Sequence, residues 1–474
     1  MLTRIEVDGF KSFADFGLDI PPFLAILGQN ASGKSNLFDA IQLLGRLASS
    51  PSLYDACTGA RGDLSELFRW KGDGTAVNQM RFAVEVLLEP TVVDPFGRQV
   101  RVTHTRLRYE LEIERRTVED GSPRLFVVSE EARPIRRKDD DWVRDQRVSR
   151  EFRDANLAYR RTSALLVTET NSAGDAVFSI RQEGNQGRAR QLPAHAAEAT
   201  VLSSITSTVE FPLLYALRRE MESWRFLQLD PVALRSPSTP EQRGDQLEPA
   251  GGNLAKVLRR IERETTLDQG SVLDDITVDL ARVVRGFSGV EVEENPATGQ
   301  WEIHLDTSDE GRVSARIASD GTMRVLALLA ALHDPKYRGL ICFEEPENGI
   351  FPQRFRALVQ LLRKLVTHPA QADAGEEPLA QLVLSSHSPL VLFVVDPSDI
   401  IVMDWVSRVE PGGGSSRVSR ARPLDEPSRV SRSRGGGRAG QAELDLEVHA
   451  VSRHERRALP GIDREHARQL LEDD

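Results

Sequence analysis

An α/β fold built around a parallel sheet is what this sequence predicts, and three observations carry the prediction. Short apolar runs recur far apart in the chain, at residues 23–27 (FLAIL), 340–343 (LICF), 382–384 (LVL) and 400–403 (IIVM). Runs without polar alternation belong to strands covered on both faces. Helical spacing of apolar residues appears between and beside them, at 37–48, 323–332 and 354–366, and strand–helix alternation marks parallel pairing. A third pattern has period two: Phe82, Val84, Val86 and Leu88, then Leu107, Tyr109, Leu111 and Ile113. Those segments predict antiparallel strands with one wet face.

Residues 2–7 (LTRIEV) alternate and predict the first strand, Gly9 a turn, and 16–20 a second short strand. Pro21-Pro22 interrupts the chain before the run at 23–27, and a glycine-rich stretch separates that run from an amphipathic helix carried by Leu37, Ile41, Leu44 and Leu47. Residues 129–161 are dense in both signs of charge without apolar heptads, which excludes a long coiled coil. A loop is expected at 235–245 and a helix at 254–261; 290–294 and 301–305 flank the turn signal NPATG and predict a hairpin.

Composition changes after residue 405. Residues 406–440 are rich in Gly, Ser and Pro, with eight arginines against three acids, and read as a disordered, locally basic linker. The last residues, DREHARQLLEDD, read as a short helix. The organisation that follows is an N-terminal lobe at 1–115, an insertion at 116–270, a C-terminal lobe at 271–405, the linker at 406–440 and a tail at 441–474.

The bulk numbers bound the function. Hydrophobic residues are 40% and charged ones 28% of the chain, an ordinary globular composition. No apolar run reaches the length needed to cross a bilayer, and the N-terminus lacks the apolar centre of a signal peptide. Two cysteines, Cys57 and Cys342, argue against a disulfide framework and for a reducing, cytoplasmic setting. With a net charge of −11, any DNA contact must come from a local basic patch. His104, His195, His304, His333 and His368 stand in no ligand-spaced cluster, so no nuclease metal constellation is visible.

Four motifs carry chemistry. Gly28-Gln29-Asn30-Ala31-Ser32-Gly33-Lys34-Ser35 fits G-x-x-x-x-G-K-[ST], followed by Asn36. Its backbone N–H groups can wrap the phosphates of ATP at a helix N-terminus, Lys34 supplies charge to the β- and γ-phosphates, and the Ser35 hydroxyl is a ligand for Mg²⁺. A glycine-rich turn that binds nothing is the bland reading, which the strand before and the helix after disfavour. The run at 340–343 ends in Glu344-Glu345-Pro346, a Walker B arrangement. Glu344 would hold magnesium through water, although Glu is longer than the usual Asp, and Glu345 would polarise the attacking water. Ser385-Ser386-His387-Ser388-Pro389 closes another apolar strand, where His387 can donate to a γ-phosphate. Lastly, Ser319 and Gly321 in ASDGTMR open a helix and can offer a hydroxyl and N–H groups to an anion; a plain helix cap explains that motif equally well when it stands alone.

Taken in order, these motifs resemble the SMC/RecF branch of the ABC ATPases. They most resemble compact prokaryotic AAA-type ATPases, related to the ATPase part of OLD nucleases, of the kind found in anti-phage defence operons. FKSFADF (10–16), GQNASGKSN (28–36), ASDGTMR (318–324), EEPENGIFP (344–352) and SSHSPLVL (385–392) carry the likeness. LDPVALR (229–235) and GGNLAKVL (251–258) share it less diagnostically. It covers roughly residues 1–405, weakly over 115–230. The resemblance implies an ABC-type head, with a P-loop sheet, an antiparallel β subdomain and an α-helical insertion subdomain. It also implies ATP with Mg²⁺ and a homodimer or higher homo-oligomer, in which Ser319 and Gly321 reach the γ-phosphate on the partner's P-loop. His387 would be the switch histidine, 347–350 the loop crossing between subunits, and Lys11 and Ser12 would touch the nucleotide from the first strand. Two departures stand out: the signature reads S-D-G-T in place of S-G-G-Q, and Gln79 is the one candidate for a glutamine loop. The function implied is an ATP-gated dimer that controls DNA engagement or an associated effector such as a nuclease. Alternatives are a RecF-like repair ATPase and an ATP-bound scaffold with little turnover.

Overall fold

The computed structural model describes residues 1–424 apart from 120, 183–188, 243, 267–269, 310, 337–338, 372–377 and 411–413. Phe23–Gly28 has no polar face, so it is stable only where both sides are covered. It lies inside a six-stranded sheet ordered Arg225–Leu227, Gly339–Glu344, Ala380–Ser386, Phe23–Gly28, Ile400–Val409, Ser415–Pro423. The first five strands pair in parallel and the last is antiparallel. Alternate residues of one strand feed two cores. Leu24 and Ile26 pack with Leu37, Ile41 and Leu44 of the helix Lys34–Leu47. Phe23, Ala25 and Leu27 share the other core with residues of the helices Asp320–His333 and Pro352–Lys364. Cys57 and Cys342 are buried free thiols.

The period-two segments form an eight-stranded antiparallel sheet, ordered Arg190–Pro193, Ala176–Ile180, Leu166–Thr170, Pro123–Pro134, Arg106–Thr117, Gln79–Leu87, Leu2–Asp8, Phe16–Asp19. Phe82 faces Leu111, Val84 faces Tyr109 and Val86 faces Leu107, so the apolar halves of the two patterns meet. The expected hairpin around NPATG is present as Phe287–Asn295 and Gln300–Thr307. The insertion is not helical throughout, as the resemblance implied. Its first part continues the antiparallel sheet through four strands, and its longer helices, Pro212–Glu222 and Leu254–Thr265, come later. Strands such as Leu166–Thr170 (LVTET) and Ala176–Ile180 (AVFSI) are short and lack a clean alternation, so their pairing partners, not their own pattern, define them.

A carboxylate is buried in this lobe. Glu130 accepts from the N–H groups of Val201 and Leu202 (2.6 and 2.9 Å) and from the Tyr109 hydroxyl (3.0 Å). Burial nevertheless pushes its carboxyl up to about 7. A carboxyl raised in the folded state stabilises fully below its ordinary value of 4.5 and loses that contribution as pH rises through about 7. Between pH 5 and 8 the native chain should lose stability relative to Glu130→Gln by an amount on the order of 2–3 kcal/mol. Denaturant titrations at several pH values measure it, and parallel profiles for the two proteins would refute the assignment.

The linker expected at 406–440 is corrected for its described part. Val406–Val409 completes the strand Ile400–Val409, which pairs with Ser415–Pro423 from Val409↔Ser415 to Ile401↔Pro423. Ser416, Val418, Ser419 and Ala421 are buried. The arginines that suggested disorder are balanced nearby: Arg420 grips Asp404 at 3.0 and 2.8 Å, Arg422 shares it at 2.8 Å, and Arg417 stacks over the Trp405 ring at 3.8 Å. Arg69, from the N-terminal lobe, closes the far end on Glu410 at 2.6 Å and Ser416 at 3.1 Å. The remainder of the expected linker, and the expected terminal helix, lie outside the described residues.

Candidate functional site

The loop 29–33 leaves Phe23–Gly28 at the end of the sheet where the adjacent Ala380–Ser386 and, beyond it, Gly339–Glu344 also finish, so three chain segments converge there. Ala31 has φ +65° and Gly33 φ +105°. These left-handed turns fold the loop back over the start of the helix Lys34–Leu47. A Cβ at Gly33 would lie 2.1 Å from Ser419 Oγ, so the approach of the Ser415–Pro423 strand also demands glycine. Lys34 Nζ donates to the carbonyls of Gly28 and Gln29, at 2.5 and 2.9 Å. Burial lowers its pKa, opposed by the negative charges of Glu345, Glu344 and Glu347. Within the loop, Ser32 Oγ is buried with no hydrogen-bond partner among the described residues.

The acids belong to the strand Gly339–Glu344 and the turn after it. Pairing of that strand with Ala380–Ser386 puts Glu344 opposite Ser385, and the Glu345 N–H donates to the Ser385 carbonyl at 2.8 Å. Glu345 has φ +52°, a conformation costing a non-glycine residue on the order of 1–2 kcal/mol. The Asn348 amide donates to its Oε2 at 2.5 Å, and His387 Nδ1 lies 3.2 Å from its Oε1. Alongside, Ser386 Oγ donates to Glu347 Oε1 at 2.5 Å.

The Ser35 hydroxyl and the Glu344 carboxylate make no hydrogen bond or ion pair among the described residues. Such hard oxygens, with phosphate and water, suit magnesium, so the donor set fits Mg²⁺ with ATP. Among the described residues no group of three His, Cys, Asp or Glu side chains is placed to hold a metal by itself.

Ser319 caps the helix Asp320–His333, its Oγ accepting from Thr322 N–H at 3.2 Å. Gly321 packs on the loop after Glu345. A Cβ there would sit 1.9 Å from the Gly349 carbonyl oxygen, so packing alone requires glycine at this position. Ser319 and Asp320 are exposed, with Val232, Ile317 and Phe351 as exposed apolar neighbours in the adjoining segments.

The P-loop, the Walker B acids and His387 therefore come together, while Ser319 keeps its hydrogen bonds within its own helix turn. Lys11 is tied to Asp39 at 2.6 Å and to the Arg61 carbonyl at 2.9 Å. Ser12 Oγ joins Asn36 and Ser419, each at 2.8 Å. Gln79 is an exposed residue at the start of the strand Gln79–Leu87. Sequence reasoning missed Asn348, Ser419 and Arg324, whose guanidinium donates to the carbonyls of Leu229, Glu344 and Glu345 at 3.2, 3.2 and 3.3 Å. Asn348 and Arg324 had a signal, lying within the EEPENG turn and the ASDGTMR motif.

The family described as "AAA domain, putative AbiEii toxin, Type IV TA system" matches residues 23–392. The chain belongs to that family. This AAA-family chain also has two shorter matches, to a RecF and to an Smc protein. It is 37% identical over 78 residues to "DNA replication and repair protein RecF" of Lactococcus lactis subsp. cremoris, covering 16% of this chain and 19% of that protein. It is 58% identical over 41 residues to "Chromosome partition protein Smc" of Methanocaldococcus jannaschii, covering 8% of this chain and 4% of that one. The AAA-family chain thus matches less than a fifth of either relative's length. A solved Smc head bound to the C-terminal winged-helix domain of ScpA superposes with a TM-score of 0.47 at 14% identity, over 88% of this chain and 97% of that one. Among the described residues no helix is long and apolar enough to cross a membrane.

Proposed function

We propose that this chain is a Mg²⁺-dependent ATPase whose catalytic sites are completed by a second copy. Its ATP-gated dimer controls DNA engagement or an associated effector such as a nuclease, in anti-phage defence. The observation that carries the reading is Glu345, hydrogen-bonded by Asn348, beside His387 and within the field of Lys34. A carboxylate oriented by an amide, beside a histidine and within the field of the phosphate lysine, suits a base for water attack.

In this reading the N–H groups of 29–34 cradle the phosphates, and Lys34 exchanges its loop carbonyls for β- and γ-oxygens. Ser35, and Glu344 through water, would hold the Mg²⁺, whose charge would offset that developing on the phosphates. Glu345 orients the water and takes its proton, while His387 bears on the γ-phosphate side. Val232, Ile317 and Phe351 leave apolar surface open around Ser319, and an exposed apolar face beside an anion-accepting helix start suits contact with a partner's P-loop.

The test is direct. The purified chain should release phosphate from ATP with Mg²⁺ and stop on chelation, and ATP should convert monomer to dimer in light scattering. Absence of turnover both with and without DNA would refute the enzyme reading and leave an ATP-bound scaffold.

A further inference from the structure

The segment Leu229–Arg235 lies inside the stretch that matches the family, and none of the steps above uses it. Its Asp230 caps the short helix Pro231–Leu234 by accepting from Val232 and Ala233 N–H, and Leu234 is fully buried. That anchors Arg235. The guanidinium donates twice to the Ala318 carbonyl, from Nε at 3.1 Å and Nη2 at 2.7 Å, and forms an ion pair with Asp320. Arg324 returns the link from the signature helix, donating to the Leu229 carbonyl at 3.2 Å.

Asp320 poses an electrostatic problem for the proposed dimer. The N-terminus of a fourteen-residue helix favours an anion, but Asp320 places a carboxylate there that would repel a phosphate. Its side chain is 56% exposed, against 23% for Arg235, so the carboxylate is the group an incoming ligand meets. Resting on the ATPase reading, we propose that Arg235 is a positioning residue of the signature. It fixes the Ala318 carbonyl and cancels the Asp320 charge, so that Ser319 and the helix start can accept the polyphosphate held by the partner copy.

Charge rescue in the full chain tests this. Arg235→Gln keeps an amide donor for Ala318 but loses the charge; kcat should fall about tenfold or more while monomer affinity for a fluorescent ATP analogue stays within about twofold. Asp320→Asn alone should retain turnover within about threefold, and Arg235→Gln/Asp320→Asn should regain at least about half of the lost rate. ATP-driven dimerisation should follow the same order. Turnover unaffected by Arg235→Gln would overturn the proposal. So would a double variant no better than the single one, because Arg235 would then be only a prop for the loop. Failure of the unsubstituted chain to hydrolyse ATP would strike the underlying ATPase reading, a result distinct from either.

Discussion

Glu345→Gln should bind ATP as tightly as the unsubstituted chain and hydrolyse it at least about 10²-fold more slowly. The amide keeps the size of the carboxylate, and its oxygen can still accept from Asn348. It cannot take a proton from water. Lys34 and the loop carbonyls are untouched, so the phosphate cradle survives and the ATP-bound dimer should accumulate. Single-turnover hydrolysis alongside nucleotide binding separates the two effects. Normal hydrolysis would mean that Glu345 is not the base, whatever its geometry.

Two inactive chains should restore each other if the site is shared. Lys34→Ala removes the phosphate charge. Ser319→Arg puts a bulky cation on an exposed cap, where the folded chain loses only on the order of 1 kcal/mol of capping. In a mixed dimer one site carries both lesions and the other carries neither. An equal mixture that exchanges freely should recover about a quarter of the unsubstituted rate, because half its dimers are mixed and each has one intact site. A site built within one chain predicts no recovery at any ratio. If the two sites must fire together, light scattering still reports recovered ATP-dependent dimers, and loss of both signals would remove Ser319 from the shared site.

The sequence showed most clearly what is local. Gly28–Ser35 and Glu344–Glu345 were legible because strand, turn and helix lie within a few residues of one another, and the same holds for the hairpin around residues 295–300. What it hid depends on partners distant in the chain. Arg235 and Arg324 act on backbone carbonyls, which carry no residue identity to read. Ser415–Pro423 looked like linker because its buried positions are filled by Ser, Ala and Val between arginines, and only pairing with Ile400–Val409 gives that pattern an inside. The helical insertion came from the resemblance alone; Leu166–Thr170 and Ala176–Ile180 become strands by joining a sheet whose other members are already formed.

The placement of Phe23–Gly28 between Ala380–Ser386 and Ile400–Val409 also governs how the molecule is made. The strand leaves the ribosome early, and both of its neighbours emerge at the far end of the described chain. At ordinary elongation speeds the apolar FLAIL run waits roughly 20 to 70 seconds for its first partner. Long-range parallel pairing of this kind is slow and exposes unpaired edges meanwhile. A nascent chain therefore carries its most conspicuous sequence motif long before the strands on either side of it exist. Nucleotide affinity should therefore appear only once both flanking strands have been made.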